Sequence, residues 1–318
     1  MSSSSTKIAL VIGAAGGVGG ETAAALVRHG WSVRGLTRRP QPARPGIAWV
    51  PGDAMNAADV LRAAEGASLI VHAANPPGYR NWDTQVLPML DNTIAAAKAM
   101  GARIVLPGTI YNFGADAFPA LREDSPQHPE SRKGAIRVAM EKRLREAAAG
   151  APALIVRAGD FFGPKTTANS WFSAAVVTPG APVKRIVEPT PRGLTHAWAY
   201  LPDVGETIAR LMDRESALGD FEVFNFPGHQ LARGEMGAAI RRVTGNSRLR
   251  IWPFPWPLVV VLQPFVRLFR EMAEMRHLWR QPIWLDGGKL TAFLGDATPA
   301  TPIDAAVRET LAGMGCLT

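Results

Sequence analysis

The stretch that most constrains this chain is GAAGGVG at residues 13–19, set between the apolar run Ile8–Ile12 and an alanine-rich segment, Val18–His29, that Gly30 closes. Five consecutive apolar residues suit a short strand buried on both faces, and the alanine-rich segment reads as a helix with a C-terminal glycine stop. Glycines between the two allow a tight turn, let the backbone approach a pyrophosphate and let the helix pack closely on the strand. The first helical N–H groups have no partner in the helix, and the helix dipole is positive there, so phosphates are favoured at this end. A glycine pattern means little alone; between a strand and a helix it predicts dinucleotide binding by Gly13, Ala15, Gly16, Gly17, Val18 and Gly19.

The next strand, expected over Trp31–Leu36, bears on which dinucleotide. An acidic residue near its end would accept from the ribose 2′-OH of NAD, but the sequence there is Gly35-Leu-Thr37-Arg38-Arg39-Pro40. Guanidinium forks match phosphate geometry, so the two arginines favour NADP(H) over NAD(H); Arg38 is the candidate contact, with Thr37 beside it, and Arg39 the more readily solvated of the pair.

Strand and helix signals then alternate. Strands are expected at 47–50, 68–72, 103–106 and 153–157, with helices at 59–65, 85–100 and 133–149 between them. Repeated units of this kind build an α/β, Rossmann-type doubly wound parallel sheet with helices on both faces. Residues 1–164 are expected to form the dinucleotide-binding domain, to which the chain returns at about 194–226. Residues 165–193, of which 179–193 read as a hairpin or irregular insertion, and 227–318 would form a smaller substrate domain.

Composition narrows the classes. The 318 residues carry 47% hydrophobic and 19% charged side chains, ordinary proportions for a soluble enzyme, while the net charge of +8 could serve nucleic acid, an anionic membrane or a phosphorylated ligand. The arginines are scattered in short clusters, a solvated surface rather than a nucleic-acid footprint. The single cysteine, Cys316, rules out an intramolecular disulfide or a cysteine metal site and suits a reducing cytoplasm; the six dispersed histidines show no ligand spacing. Met1–Thr6 reads as a loose tail. The run Leu258–Leu262, bracketed by Pro257 and Pro264, is far short of the ~20 residues that cross a bilayer, so no integral membrane contact is expected.

These features resemble the short-chain dehydrogenase/reductase superfamily in its extended, epimerase/dehydratase-like branch. The resemblance rests on Gly13, Gly16 and Gly19, Pro51-Gly52-Asp53, Val71-His72-Ala73-Ala74, the RAGDFFGP segment at 157–164, 196–204 and the closing Lys289–Pro302, and so covers nearly the whole chain. It implies that Asp53 reaches the adenine, that Ala73 and Ala74 pass beside the cofactor, and that the loop holding Gly159 approaches the nicotinamide. It also implies a small-molecule substrate and, at family level, a homodimer. In that branch a Ser/Thr and a Tyr-x-x-x-Lys helix handle the proton, usually with an upstream Asn. Thr109 stands in the Ser/Thr place and Gln85 loosely in the Asn place, but Lys133 occupies the tyrosine slot and Arg137 the lysine slot. None of Tyr79, Tyr111 and Tyr200 has a lysine four residues on, which makes this an atypical member.

Arg137 retains a fixed positive charge and donors for the nicotinamide ribose. Lys133 lies one turn earlier on the same face, where a neighbouring guanidinium and burial would push it towards its neutral form and permit acid/base work. Tyr111 is the other candidate donor, or else a pocket-wall aromatic, and Thr109 is the candidate donor to a substrate oxygen. Phe265, Leu268, Phe269, Met272, Met275 and Trp279 recur at helical spacing and read as a helix on the core, as an apolar substrate wall or, given the interspersed arginines, as a membrane-surface element. Three functions stay open: an NADP(H)-dependent oxidoreductase on a small carbonyl or alcohol, a non-catalytic NADP(H)-binding regulator or scaffold, and a sugar-nucleotide epimerase or dehydratase.

Overall fold

The computed structural model describes residues 7–76, 81–165 and 170–317; the Met1–Thr6 tail and Tyr79 lie outside them. The first apolar run is strand β1 (Ile8–Ile12), and the glycine turn opens helix α1 (Gly17–Arg28). There follow β2 (Ser32–Thr37), β3 (Ile47–Pro51), α2 (Ala57–Ala64), β4 (Leu69–His72), α3 (Trp82–Met100) and β5 (Arg103–Thr109). A two-residue β6 (Ala120–Leu121) precedes α4 (Arg132–Ala147), β7 (Ala153–Ala158) and β8 (Asp160–Phe162). Beyond them come β9 (Ile186–Glu188), β10 (Thr195–Tyr200), α5 (Leu201–Asp213), β11 (Phe221–Asn225) and β12 (His229–Ala232). The chain closes with α6 (Glu235–Thr244), β13 (Ile251–Pro253), α7 (Trp256–Leu262), α8 (Arg267–Glu274), β14 (Trp284–Leu285), α9 (Gly288–Leu294) and α10 (Ile303–Gly313).

The principal sheet has seven parallel strands in the order β11-β7-β5-β4-β1-β2-β3. This is the expected doubly wound fold. Apolar side chains on both strand faces require cover on both sides, and helices supply it: α1 and α5 through Leu26, Ile208 and Leu211, and α2, α3 and α4 through Val60, Leu90 and Leu144. The strand order reverses between β1 and β4, and the crevice at the carboxyl ends of strands flanking such a reversal is where ligands bind.

A second core is unusually aromatic, with Phe162, Trp171, Phe172, Trp198, Trp256 and Trp279 in one cluster. Its three-stranded sheet runs β12-β10-β8. Because β10 belongs to this sheet, the chain re-enters the Rossmann layer at α5 and β11 rather than at residue 194, and α9 rejoins that layer through Leu290 and Leu294. Nor do residues 179–193 form a hairpin: their one strand, β9, pairs in parallel with the distant β13. Among the described residues no helix is long and apolar enough to cross a membrane.

Candidate cofactor and active site

The glycine turn has the geometry its sequence implies. Gly13 adopts φ +95°, and a Cβ there would lie 2.6 Å from the Ala73 carbonyl oxygen. A Cβ on Gly19 would overlap the Gly13 carbonyl oxygen and sit 3.1 Å from the Ala73 Cβ, so both glycines let α1 close onto β1 and the end of β4. Gly16 is the N-cap of α1, makes no side-chain cap bond, and the first turn holds no acidic residue. The helix therefore keeps its first N–H groups for an anion, with Ala15 exposed on the rim and Val18 half-buried beside it. These residues fit a dinucleotide pyrophosphate.

At the end of β2, Arg38 is exposed and its guanidinium lies 4.0 Å from the Asp53 carboxylate. Asp53 is fixed from below: its N–H donates to Asp59 Oδ2 at 3.0 Å and its own Oδ1 accepts from Met55 N at 3.0 Å. The structure thus joins the candidate 2′-phosphate contact to the candidate adenine contact at one edge. Thr37 turns inward on its own loop, its hydroxyl donating to the Arg39 carbonyl at 2.7 Å.

The other side of the crevice is the first turns of α4, started by Ser131, whose hydroxyl accepts from Gly134 N at 3.0 Å. Arg137 is buried and donates to Asn75 Oδ1 at 3.1 Å, just beyond Ala73 and Ala74, with its guanidinium over the Trp82 ring at 5.2 Å. Burial, and then the charge of Arg137, push His72 down to about 3, so the ring at the end of β4 is neutral and holds Thr93 Oγ1 at 2.7 Å. Arg137 consequently brings a fixed positive charge to the carboxyl end of β4. Neither Asn75 nor Trp82 is singled out by the sequence, since nothing local marks them as partners of residue 137.

Lys133 departs from expectation. Its ammonium is buried and lies 2.5 Å from Glu271 Oε2 and 2.5 Å from Glu274 Oε2, both on α8, while its backbone N–H donates to Glu274 Oε1 at 3.1 Å. Burial raises the Glu274 carboxyl, but the hydrogen bond and charge of Lys133 outweigh it and leave its pKa below the usual value. The charged groups the structure sets against the lysine are thus the two carboxylates of α8, where the sequence offered only the Arg137 guanidinium one turn away. The two glutamates were invisible to sequence reasoning because they lie more than 130 residues from Lys133. A cleft of about 360 Å³ opens beside this cluster, lined among others by Arg132, Lys133, Arg267 and Arg270.

Thr109 ends β5 half-buried, and its oxygen accepts from Tyr111 N at 3.2 Å. That bond uses acceptor capacity only, so the single O–H remains able to donate. Tyr111 is buried in the aromatic core, which favours the wall role over proton donation. Gly159 is also buried, and a Cβ there would overlap the Ala197 carbonyl, so the close approach of this turn to β10 requires a glycine. Arg157, beside it, is a structural fork, donating to Glu141 Oε1 at 3.0 Å and Oε2 at 2.7 Å. Asp160 and His196 form a further buried pair at 2.7 Å, with the imidazole stacked 3.7 Å from Trp279.

Comparison with known proteins adds a frame to this geometry. The model of the NAD dependent epimerase/dehydratase family matches residues 9–226. A search of curated proteins finds no match. Similar solved structures include a Burkholderia cenocepacia J2315 protein provisionally described as an epimerase, 20% identical, covering 98% of each chain at a TM-score of 0.76. UDP-glucuronic acid 4-epimerase from Bacillus cereus in complex with NAD is 16% identical over 96% of this chain and 98% of that one, TM-score 0.74. MoeE5 in complex with UDP-glucuronic acid and NAD is 18% identical over 96% of this chain and 98% of that one, TM-score 0.73. At these identities the likeness establishes the fold.

Proposed function

The chain belongs to the NAD-dependent epimerase/dehydratase family, and from that premise we propose that it is an enzyme holding a nicotinamide dinucleotide on the Gly13–Gly19 turn and acting on an anionic substrate that bears a hydroxyl or carbonyl group. The observation that carries this reading is the steric cradle, in which Gly13 and Gly19 leave no room for a Cβ against Ala73. When bound, the nicotinamide would accept or return a hydride. Arg137, which reaches Asn75 at the end of β4, would hold the ribose, and the Thr109 hydroxyl, whose oxygen accepts from Tyr111 N, would donate to a substrate oxygen.

The cleft beside Lys133 is lined by Arg132, Arg267 and Arg270 as well as by Asp83, Glu271 and Glu274. With both glutamates taken up by Lys133, the three arginines outnumber Asp83 and favour an anionic substrate, and a sugar nucleotide carries such charge in its diphosphate. The family match and the UDP-sugar complexes among the similar structures favour this over a plain small carbonyl compound. Incubation with UDP-glucuronic acid, UDP-glucose and a set of aldehydes, with product analysis by NMR, tests the assignment. Turnover should fall about a hundredfold in Thr109→Ala, the cost of losing one donor to a developing oxyanion, with cofactor affinity retained. The buried ion pairs of Lys133 favour a second reading, a cofactor-binding protein without turnover; tight cofactor binding with no product from any substrate would select it.

Arg38, with no carboxylate at the end of β2, favours the 2′-phosphorylated cofactor, whereas the similar structures named above contain NAD. A charged hydrogen bond to the phosphate predicts that Arg38→Ala lowers the NADP/NAD affinity ratio about tenfold. An unchanged ratio in paired fluorescence titrations removes the assignment.

A further inference from the structure

Six of the eight large hydrophobic side chains left exposed among the described residues fall within residues 252–268: Trp252, Leu258, Val261, Phe265, Val266 and Leu268. Phe265 is 84% exposed and Val261 67%. Residues 251–266 contain no charged side chain, yet exposed arginines bracket them, Arg248 and Arg250 before and Arg267 and Arg270 after. The same region is the main source of the molecule's positive charge: residues 236–285 hold eight arginines against two glutamates, six of the chain's net +8. Those two glutamates, Glu271 and Glu274, point inward onto Lys133; Arg242 is paired with Asp304, while Arg248, Arg250, Arg267 and Arg270 stand exposed around the apolar stretch.

The two short helices divide their residues cleanly. In α7, Trp256 and Val259 are buried while Leu258 and Val261 face out; in α8, Glu271 and Met272 are buried while Leu268 faces out. The helical spacing of 265–279 is therefore only half explained by the core, which takes Met272, Met275 and Trp279 but not Phe265 or Leu268. An apolar ridge rimmed by arginines, with a tryptophan at its edge, matches the layered chemistry of a lipid surface: hydrocarbon below, anionic headgroups around. Neither helix is long enough to cross.

We propose that α7, α8 and the turn between them dock this protein on the surface of an anionic phospholipid bilayer, the apolar ridge entering the headgroup boundary and the flanking arginines pairing with lipid phosphates. Docking would leave the chain on one side of the membrane. It would also set the Lys133 cleft, whose wall includes Arg267 and Arg270, beside the lipid.

Sedimentation of the full chain with vesicles tests this. Vesicles of phosphatidylcholine with phosphatidylglycerol should bind it, vesicles of phosphatidylcholine alone should bind it much less, and added salt should weaken the binding. The double variant Val261→Ser/Phe265→Ser should lose at least about tenfold in partition because the ridge no longer inserts. Both side chains are largely exposed, so its thermal transition and nucleotide affinity should match the parent. Arg248→Glu/Arg250→Glu should weaken binding to the anionic vesicles specifically. Failure to bind anionic vesicles overturns the proposal, as does parental binding by the serine variant. Self-association that the serine variant abolishes, without vesicle binding, would instead make the ridge an interface between two copies and also overturn it.

Discussion

Lys133→Ala will destabilise the protein by about 3–5 kcal/mol, the cost of leaving a buried charge without its partner. The side chain occupies a site where two carboxylates converge at 2.5 Å, and its removal leaves Glu271 and Glu274 repelling each other with little water to screen them. For a chain of this size the fall in Tm should be on the order of 10 °C in a calorimetric scan. Neutralising the partners should reverse much of the loss: Lys133→Met combined with Glu271→Gln and Glu274→Gln should recover most of the parent Tm. A Lys133→Ala variant with an unaltered Tm would show that the ion-pair cluster contributes nothing to the fold. Lys133→Arg separates the structural role from a chemical one, since it keeps the charge but cannot give up a proton near neutral pH. Preserved stability with lost turnover would mark Lys133 as a participant in the reaction.

Gly19→Val should abolish nucleotide binding, with affinity falling at least about a hundredfold, and should also cost about 1–3 kcal/mol of stability through overpacking. The physical reason is backbone against backbone. The new Cβ would overlap the Gly13 carbonyl oxygen and crowd the Ala73 Cβ at 3.1 Å, so no rotamer relieves it and α1 must move off the sheet. That movement carries the free N–H groups of the helix start away from the pyrophosphate. Gly16→Ala is the useful contrast. A Cβ there meets only the Gly13 carbonyl, at 3.2 Å, so stability should hold while contact with the phosphates suffers. Fluorescence titration with reduced cofactor, paired with thermal denaturation of both variants, checks the pattern. Parental affinity in Gly19→Val would remove the turn from the binding site.

The two sites differ in how visible they were. The turn was legible because everything that defines it is local: an apolar run, glycines at fixed offsets, and a helix start with no competing cap. The parallel sheet was legible for the same reason, its central strands β1, β4, β5 and β7 being announced by short apolar runs. On α4, spacing alone placed Lys133 and Arg137 on one face, and the structure confirms that both are buried. What those two cations touch was not legible. The spacing could equally have served a lysine beside a guanidinium with depressed basicity, and the sequence contains nothing to prefer the carboxylates of α8.

The aromatic segment shows the same limit at larger scale. A helical period in 265–279 marks which residues share a stripe, but not whether another element lies over it. The second core takes Met272 and Trp279 and leaves Phe265 and Leu268 in solvent. Likewise β10 reads as a strand from its residues alone, yet its place in the second sheet depends on pairing with β8 and β12.

By itself, then, the amino-acid sequence determined the parallel α/β frame, the glycine turn between β1 and α1, and the placing of Lys133 and Arg137 on one face of α4. These are properties of steric fit and periodicity within a few residues. Tertiary structure alone decided that Lys133 is clamped by Glu271 and Glu274, that Tyr111 lies in the second core and Gly159 against Ala197, and that an apolar ridge stands outside the core. Each of those depends on which distant elements meet, and a buried charge or an exposed phenylalanine acquires its meaning only from the neighbour that folding brings to it or withholds.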